Sequence, residues 1–179
     1  MTHQYIKSAS FSADNGGMSE FRVEKRRAEA ELTLSSGGQV RGWFFLAGSS
    51  ATHVGPERVA DLLNAEGGFF PFEVPDGDRQ DTVLINRAHV IAVKLLEQTT
   101  EAQLDPGYVV ATERRVRMLL SNGALVTGTI RVYRPQGRDR LSDYARSNDA
   151  FRYVESAKAT YVVNSAHIVE LRELTEIAS

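Results

Sequence analysis

The sequence predicts a mainly β protein made of two small five-stranded barrels in tandem, each with a short helix inserted between its second and third strands. Three observations lead there. Apolar and polar residues alternate at the strand period, as in Ala28, Ala30, Leu32 and Leu34 set against Glu29, Glu31 and Thr33. Turns rich in Gly, Ser and Asn separate such runs at strand-length intervals. The third observation is internal repetition: VLINRAHVIAV at 83–93 returns as YVVNSAHIVEL 78 positions later, each with Asn-x-Ala-His between two apolar runs.

The repeat extends further. LTLSSGGQVRG at 32–42 lies over MLLSNGALVTG at 118–128, residues 58–64 lie over 140–146, and Phe69 falls on Phe151. The spacing between matched residues shrinks only across loops. Each unit holds about 70 residues, near the lower limit for a domain without metal or disulfide support. The division expected is a flexible tail at 1–20, a first barrel at 21–97, a linker at 98–112 carrying a Pro-Gly turn, and a second barrel at 113–179.

In each unit the first strand runs into a turn, Ser35-Ser36-Gly37-Gly38 or Ser121-Asn122-Gly123-Ala124, whose residues tolerate the positive φ a hairpin demands. The second strand places Val40, Gly42, Phe44 and Leu46, or Val126, Gly128, Ile130 and Val132, on one face. A core-facing glycine weakens a strand unless the strand bends or another backbone comes close, so Gly42 and Gly128 mark a sharp bend. A short helix follows, with Pro56 suited to its first turn, Val59, Leu62 and Leu63 on one face and Gly67 placed to end it. Leu141, Tyr144 and Ala145 repeat that face. FFPFEV and AFRYVE read as third strands, and Asn86 and Asn164 hold the tight corner between the fourth and fifth.

Composition narrows the function classes. With 21 basic and 23 acidic residues the net charge is -2, so bulk charge offers no general attraction to nucleic acid or anionic lipid. The chain has no Cys, which removes disulfides, thiolate zinc sites and a cysteine nucleophile, and suits a reducing cytoplasm. The first 20 residues hold no apolar stretch fit for a signal peptide, and no run reaches the roughly 18 apolar residues of a membrane span.

The order of strand, Gly turn, Gly-bent strand, third strand and tight corner resembles the Sm-like fold, the five-stranded SH3-type barrel of Sm proteins and bacterial Hfq. Asp61-Leu62-Leu63-Asn64 is similar to the end of the first Sm motif, and Leu84-Ile85-Asn86-Arg87 stands in the place of the second. The pattern is incomplete: the family's Arg-Gly is Asn86-Arg87 and Asn164-Ser165 here, Arg146 replaces Asn64 in the second unit, and the inserted helix is foreign to it. The whole chain also resembles a bacterial family of duplicated barrels with no assigned activity. The resemblance implies the fold and assembly through exposed strand edges, while the nucleotide pocket is not carried over.

Candidate site residues fall in two groups. His89 and His167, equivalent by the repeat, either meet as ligand- or base-contacting groups or merely pack at the strand start and donate one hydrogen bond each. Neither has a nearby His, Cys or carboxylate at ligand spacing, so no metal is expected. Arginine supplies 17 of the 21 basic residues, and 113–152 holds nine Arg against four acidic residues. Arg131, Tyr133 and Arg134, with Arg87, are the candidates for phosphate and base contacts; the alternative is a charged edge that resists mispairing. Ser35, Ser36, His53 and Asp61 lack the spacing of a catalytic triad, and the Gly pairs lack the rest of a phosphate loop, so no catalytic role, and no cofactor, is assigned. The function expected is a non-catalytic, self-associating binding module. The alternatives are RNA or single-stranded nucleic-acid binding through the second unit, and a small-ligand or peptide pocket between the units lined by Trp43, Phe69 and Phe70.

Overall fold

The structure, a computed structural model, describes residues 25–65, 67–96, 101–105, 107–133, 137 and 139–175. The expected tail at 1–20 lies outside the described residues, as does Arg134. Within them the chain is mainly β. The first half contains β1 (Lys25–Leu34), β2 (Gln39–Ala47), α1 (Val59–Asn64), β3 (Phe69–Asp76), β4 (Arg79–Asn86) and β5 (Val90–Leu95). The second contains β6 (Thr112–Leu120), β7 (Leu125–Val132), α2 (Leu141–Ala145), β8 (Phe151–Glu155), β9 (Thr160–Asn164) and β10 (Ile168–Glu173).

All ten strands belong to one antiparallel sheet ordered β10-β6-β7-β8-β9-β5-β1-β2-β3-β4. The expectation of two closed barrels is corrected here, because this sheet is open: β4 and β10 are its outer strands, and in neither half does the fourth strand pair with the fifth. The corner is the cause. A single turn of 3-10 helix, Arg87–His89 or Ser165–His167, turns the chain away from a hairpin, so β5 pairs with β1 and β10 with β6. The other edge of β5 is then taken by β9.

Local structure follows the alternation. In β1, Ala28, Ala30 and Leu32 are buried, opposite Phe44, Gly42 and Val40 of β2. Gly37 and Gly123 take φ of +87° and +83° in the two hairpin turns, where a side chain would be strained. At Gly42 an added Cβ would lie 2.0 Å from the Glu73 carbonyl oxygen, and at Gly128 2.5 Å from that of Glu155, so β3 and β8 cross these positions with no room for a side chain. The helices lie between the second and third strands of each half. α1 starts at Val59, beyond Pro56, and Asp61 and Asp143 accept hydrogen bonds from the backbone N–H of Arg58 and Arg140 at the two helix starts (2.9 and 3.1 Å).

Two apolar clusters form the core, and neither respects the boundary between halves. The first packs Phe44, Phe70 and Phe72, with ring centroids 5.0 to 6.4 Å apart, and takes in Phe151 and Val162 from the second half. The second gathers Val116, Met118 and Ile130 and takes in Ile91 and Ala92 from the first. Fully burying one such side chain contributes about 1.5–3 kcal/mol, so residues lent across the boundary bind the halves together. The presumed linker is built into this core as well. It contains a short 3-10 helix at Glu101–Leu104, with Glu101 only 1% exposed.

Candidate functional site

The two halves of the sheet are joined at the seam between β9 and β5. Ala92 faces Val163, Val93 faces Val162, and Lys94 faces Tyr161. Two asparagines join the halves here, and a third is their local counterpart. Asn64, at the end of α1, donates from Nδ2 to the Phe151 carbonyl (2.8 Å) and accepts from the Phe151 N–H (2.9 Å), so its amide acts as an extra strand residue for β8. Asn164 donates to the Val90 carbonyl (2.9 Å) across the seam while its Oδ1 accepts from Ala166 N (3.1 Å). Asn86, its equivalent, makes the same local bond to Ala88 N (3.0 Å).

The histidines complete the corners. His89 Nδ1 meets Ser35 Oγ and His167 Nδ1 meets Ser121 Oγ, each at 2.8 Å. Backbone bonds match too, Ser35 N–H to the His89 carbonyl and Ser121 N–H to that of His167, again both at 2.8 Å. His167 Nε2 also donates to the Ala88 carbonyl, 2.9 Å away in the first half. In the neutral imidazole that donation leaves Nδ1 as the acceptor, so the Ser121 hydroxyl donates to it. The two imidazoles sit in successive corners, His167 reaching the backbone carbonyl next to His89.

Of the arginine candidates, Arg87 and Arg131 are occupied within the chain. Arg87 donates to the carbonyls of Gly67, Phe69 (2.8 Å) and Leu62 (3.1 Å), closing the end of α1 onto β3, and burial lowers its pKa. Arg152 serves α2 in the same way through the carbonyls of Tyr144, Ser147 and Asp149. Arg131 bonds Glu113 (2.7 Å) and the Tyr108 carbonyl (2.9 Å), with its guanidinium 3.4 Å from the Tyr108 ring centroid. Arg114 is divided between Asp139 and Glu173, both at 3.1 Å. Tyr133 is half-exposed, and burial together with the nearby Asp105 carboxylate pushes its phenol up to about 12.

A cleft of about 590 Å³ does lie between the halves. Its walls are Arg58, Asp61 and Asp105 on one side and Arg131, Tyr144 and Glu155 on the other, which corrects the expected lining. Phe70 is instead a core residue, Phe69 is 58% exposed, and Trp43 lies under the Arg27 guanidinium at 4.7 Å. On the cleft's edge His53 Nε2 meets Asp61 Oδ2 at 2.7 Å, and this bond raises the imidazole pKa. Burial would raise the Asp61 carboxyl, but hydrogen bonds from Arg58 and His53 outweigh it and hold the pKa below the usual carboxylate range. Among the described residues the buried Tyr144 Oη has no hydrogen-bond partner, while the buried Arg131 Nε and Glu155 Oε1 face each other as an ion pair at 3.9 Å, beyond hydrogen-bond length. Among the described residues no group of three or more His, Cys, Asp or Glu is arranged to hold a metal ion, and no helix is long and apolar enough to cross a membrane.

Compared with known protein families, curated proteins and solved structures, the chain matches none. The residues that sequence patterns did not single out are Glu101 and Tyr153. Glu101 accepts from Arg26 (3.1 Å), Val59 N (3.1 Å) and the Tyr153 hydroxyl (2.8 Å). A polar residue in a polar linker carries no periodic signal of burial. Asn64 did have one, since it closes the Asp61-Leu62-Leu63-Asn64 stretch and is replaced by Arg146 in the second unit.

Proposed function

We propose that the protein is a non-catalytic assembly module of two Sm-like units that joins copies of itself through the edges of its sheet. One observation carries this: the two halves are themselves joined by an edge pairing, β9 on β5, and among the described residues the equivalents of those two strands, β4 and β10, each have one unpaired edge at the ends of the sheet. An unpaired edge presents free N–H and C=O groups to any strand of matching pattern. The Sm-like assignment is supported by the identical strand order in both halves, fifth-first-second-third-fourth, and by the close backbone crossings at Gly42 and Gly128. Pairing β10 of one chain with β4 of the next is heterologous, so it yields a ring if the rotation closes and a filament if it does not.

The cleft favours a second reading as a small-ligand site, because among the described residues the buried Tyr144 hydroxyl has no hydrogen-bond partner, and a ligand or bound water is the usual remedy. Nucleic-acid binding through the second half ranks below both, since Arg114, Arg131 and Arg152 already spend their donors on carboxylates and carbonyls of the chain. One experiment separates the three. Protein purified without nuclease is taken to light scattering, native mass spectrometry and an absorbance ratio at 260 and 280 nm. A bare multiple of the chain mass is the expected result. A monomer at high concentration refutes assembly, retained small mass supports the cleft, and a raised ratio that falls with salt supports nucleic acid.

A further inference from the structure

We infer that the corner residues Asn86 and His89 form a clasp for a second copy of this chain, donating to the carbonyls of Ile168 and Ala166 at the start of its last strand. This rests on the edge-pairing function proposed above and names its partner, its contact residues and its register.

The inner seam supplies the template. There Asn164 and His167 of the second half donate to Val90 and Ala88 of the first. The repeat carries Asn164 and His167 onto Asn86 and His89, and carries Val90 and Ala88 onto Ile168 and Ala166. Each corner thus owns both sides of a head-to-tail contact: an amide and an imidazole that reach forward, and two carbonyls that receive. Inside one chain only half of each set is used. Among the described residues, Asn86 and His89 make their local bonds to Ala88 N and Ser35 Oγ but none across a seam.

Burial differs between the corners as the missing neighbour requires. Asn164 is 4% exposed, whereas Asn86 is only half-buried and His89 is exposed. Apolar residues follow the same rule. Phe69, Leu84 and Val169 are 58%, 68% and 66% exposed, and their equivalents Phe151, Val162 and Ile91 are 3%, 0% and 1% exposed at the inner seam. An outer strand that kept such residues without a partner would be an aggregation site. The inner register, Ala92 with Val163 and Val93 with Val162, carries over as Glu170 with Ile85 and Leu171 with Leu84. One part of the template is lost: Arg146 stands where Asn64 staples β8, so the joint between chains is weaker than the joint between halves and opens on dilution.

The absence of native cysteine makes the register directly testable. In the full chain, Leu84→Cys combined with Leu171→Cys should form disulfide-linked multimers under mild oxidation. Within one chain these positions lie on opposite ends of the sheet and cannot meet. Leu84→Cys with Arg172→Cys, one residue out of register, should not link. In the cysteine-free protein, His89→Ala should weaken association roughly five- to tenfold, as loss of one hydrogen bond predicts, while the dilute monomer loses only the exposed bond to Ser35 and melts at a slightly lower temperature. His167→Ala should instead lower that melting temperature, because its imidazole joins the halves. Association that survives His89→Ala at full strength, with the Leu84–Leu171 link intact, overturns the clasp and leaves edge pairing standing. Linking only at the shifted pair overturns the register and the clasp. A monomer with no link at either pair overturns both the clasp and the proposed function.

Discussion

Replacing Glu101 should be among the most damaging single changes in the protein, although it lies in a segment that reads as a linker. Its carboxylate is 1% exposed and receives three donors: Arg26 (3.1 Å), the Val59 N–H at the start of α1 (3.1 Å) and the Tyr153 hydroxyl of the second half (2.8 Å). A hydrogen bond to a charged acceptor is worth about 1.5–3 kcal/mol. Arg26 keeps a third of its side chain in water and so recovers much of its loss by solvation, leaving Val59 and Tyr153 as the main costs. Burial, and then the Glu101 carboxylate, raise the Tyr153 phenol well above its ordinary pKa, so it remains a proton donor that must find an acceptor. Glu101→Ala should therefore cost about 3–5 kcal/mol. Glu101→Gln keeps the shape and one carbonyl acceptor, and should cost about half as much. Urea unfolding followed by the fluorescence of Trp43 measures both, at an unchanged m-value if the folded state keeps its surface. A loss below about 1 kcal/mol for Glu101→Ala would refute the view that this carboxylate holds α1 and β8 together.

Two further predictions concern backbone crossings and charge. Gly42→Ala and Gly128→Ala should each destabilise by about 1–3 kcal/mol, because the new methyl overlaps the carbonyl of Glu73 or Glu155, whereas Gly68→Ala, with nothing within 4 Å, should stay within about 0.5 kcal/mol; scanning calorimetry distinguishes them. His53 has a folded-state pKa raised above 6.5, so its contribution is complete below the unfolded value and disappears as pH rises through the folded one. His53→Ala should consequently reduce stability more at pH 5.5 than at pH 9, and a loss independent of pH in urea titrations would show that the bond to Asp61 carries no charge.

Local features were legible because their signals are local. The alternation of Ala28, Ala30 and Leu32 locates a half-buried strand, and the glycines at 42 and 128 lie where another backbone passes close. The Asn-x-Ala-His repeat locates the corner, since an Asn side chain accepting from the N–H two residues on is a property of the tetrapeptide. A further clue was present in the continuous apolar run Val90-Ile91-Ala92-Val93, against the interrupted Ile168-Val169-Glu170-Leu171: only a strand covered on both faces buries four residues in succession. The expected pocket aromatics failed for a physical reason. Phe69 and Phe70 are adjacent in a strand and point to opposite faces, so they cannot line one cavity.

The sequence by itself determined the strand class, the order of elements in each half, the turns, the short helices and the equivalence of the two corners, all of which depend on spacing along the chain. Tertiary structure alone decided that the ten strands make one open sheet, that Glu101 is a buried acceptor, that Arg87, Arg114, Arg131 and Arg152 are spent on carbonyls and carboxylates, and which edges remain free among the described residues. Those outcomes depend on which strand wins the exposed edge of β5, a competition between segments some 70 residues apart. No periodicity within either segment records its result.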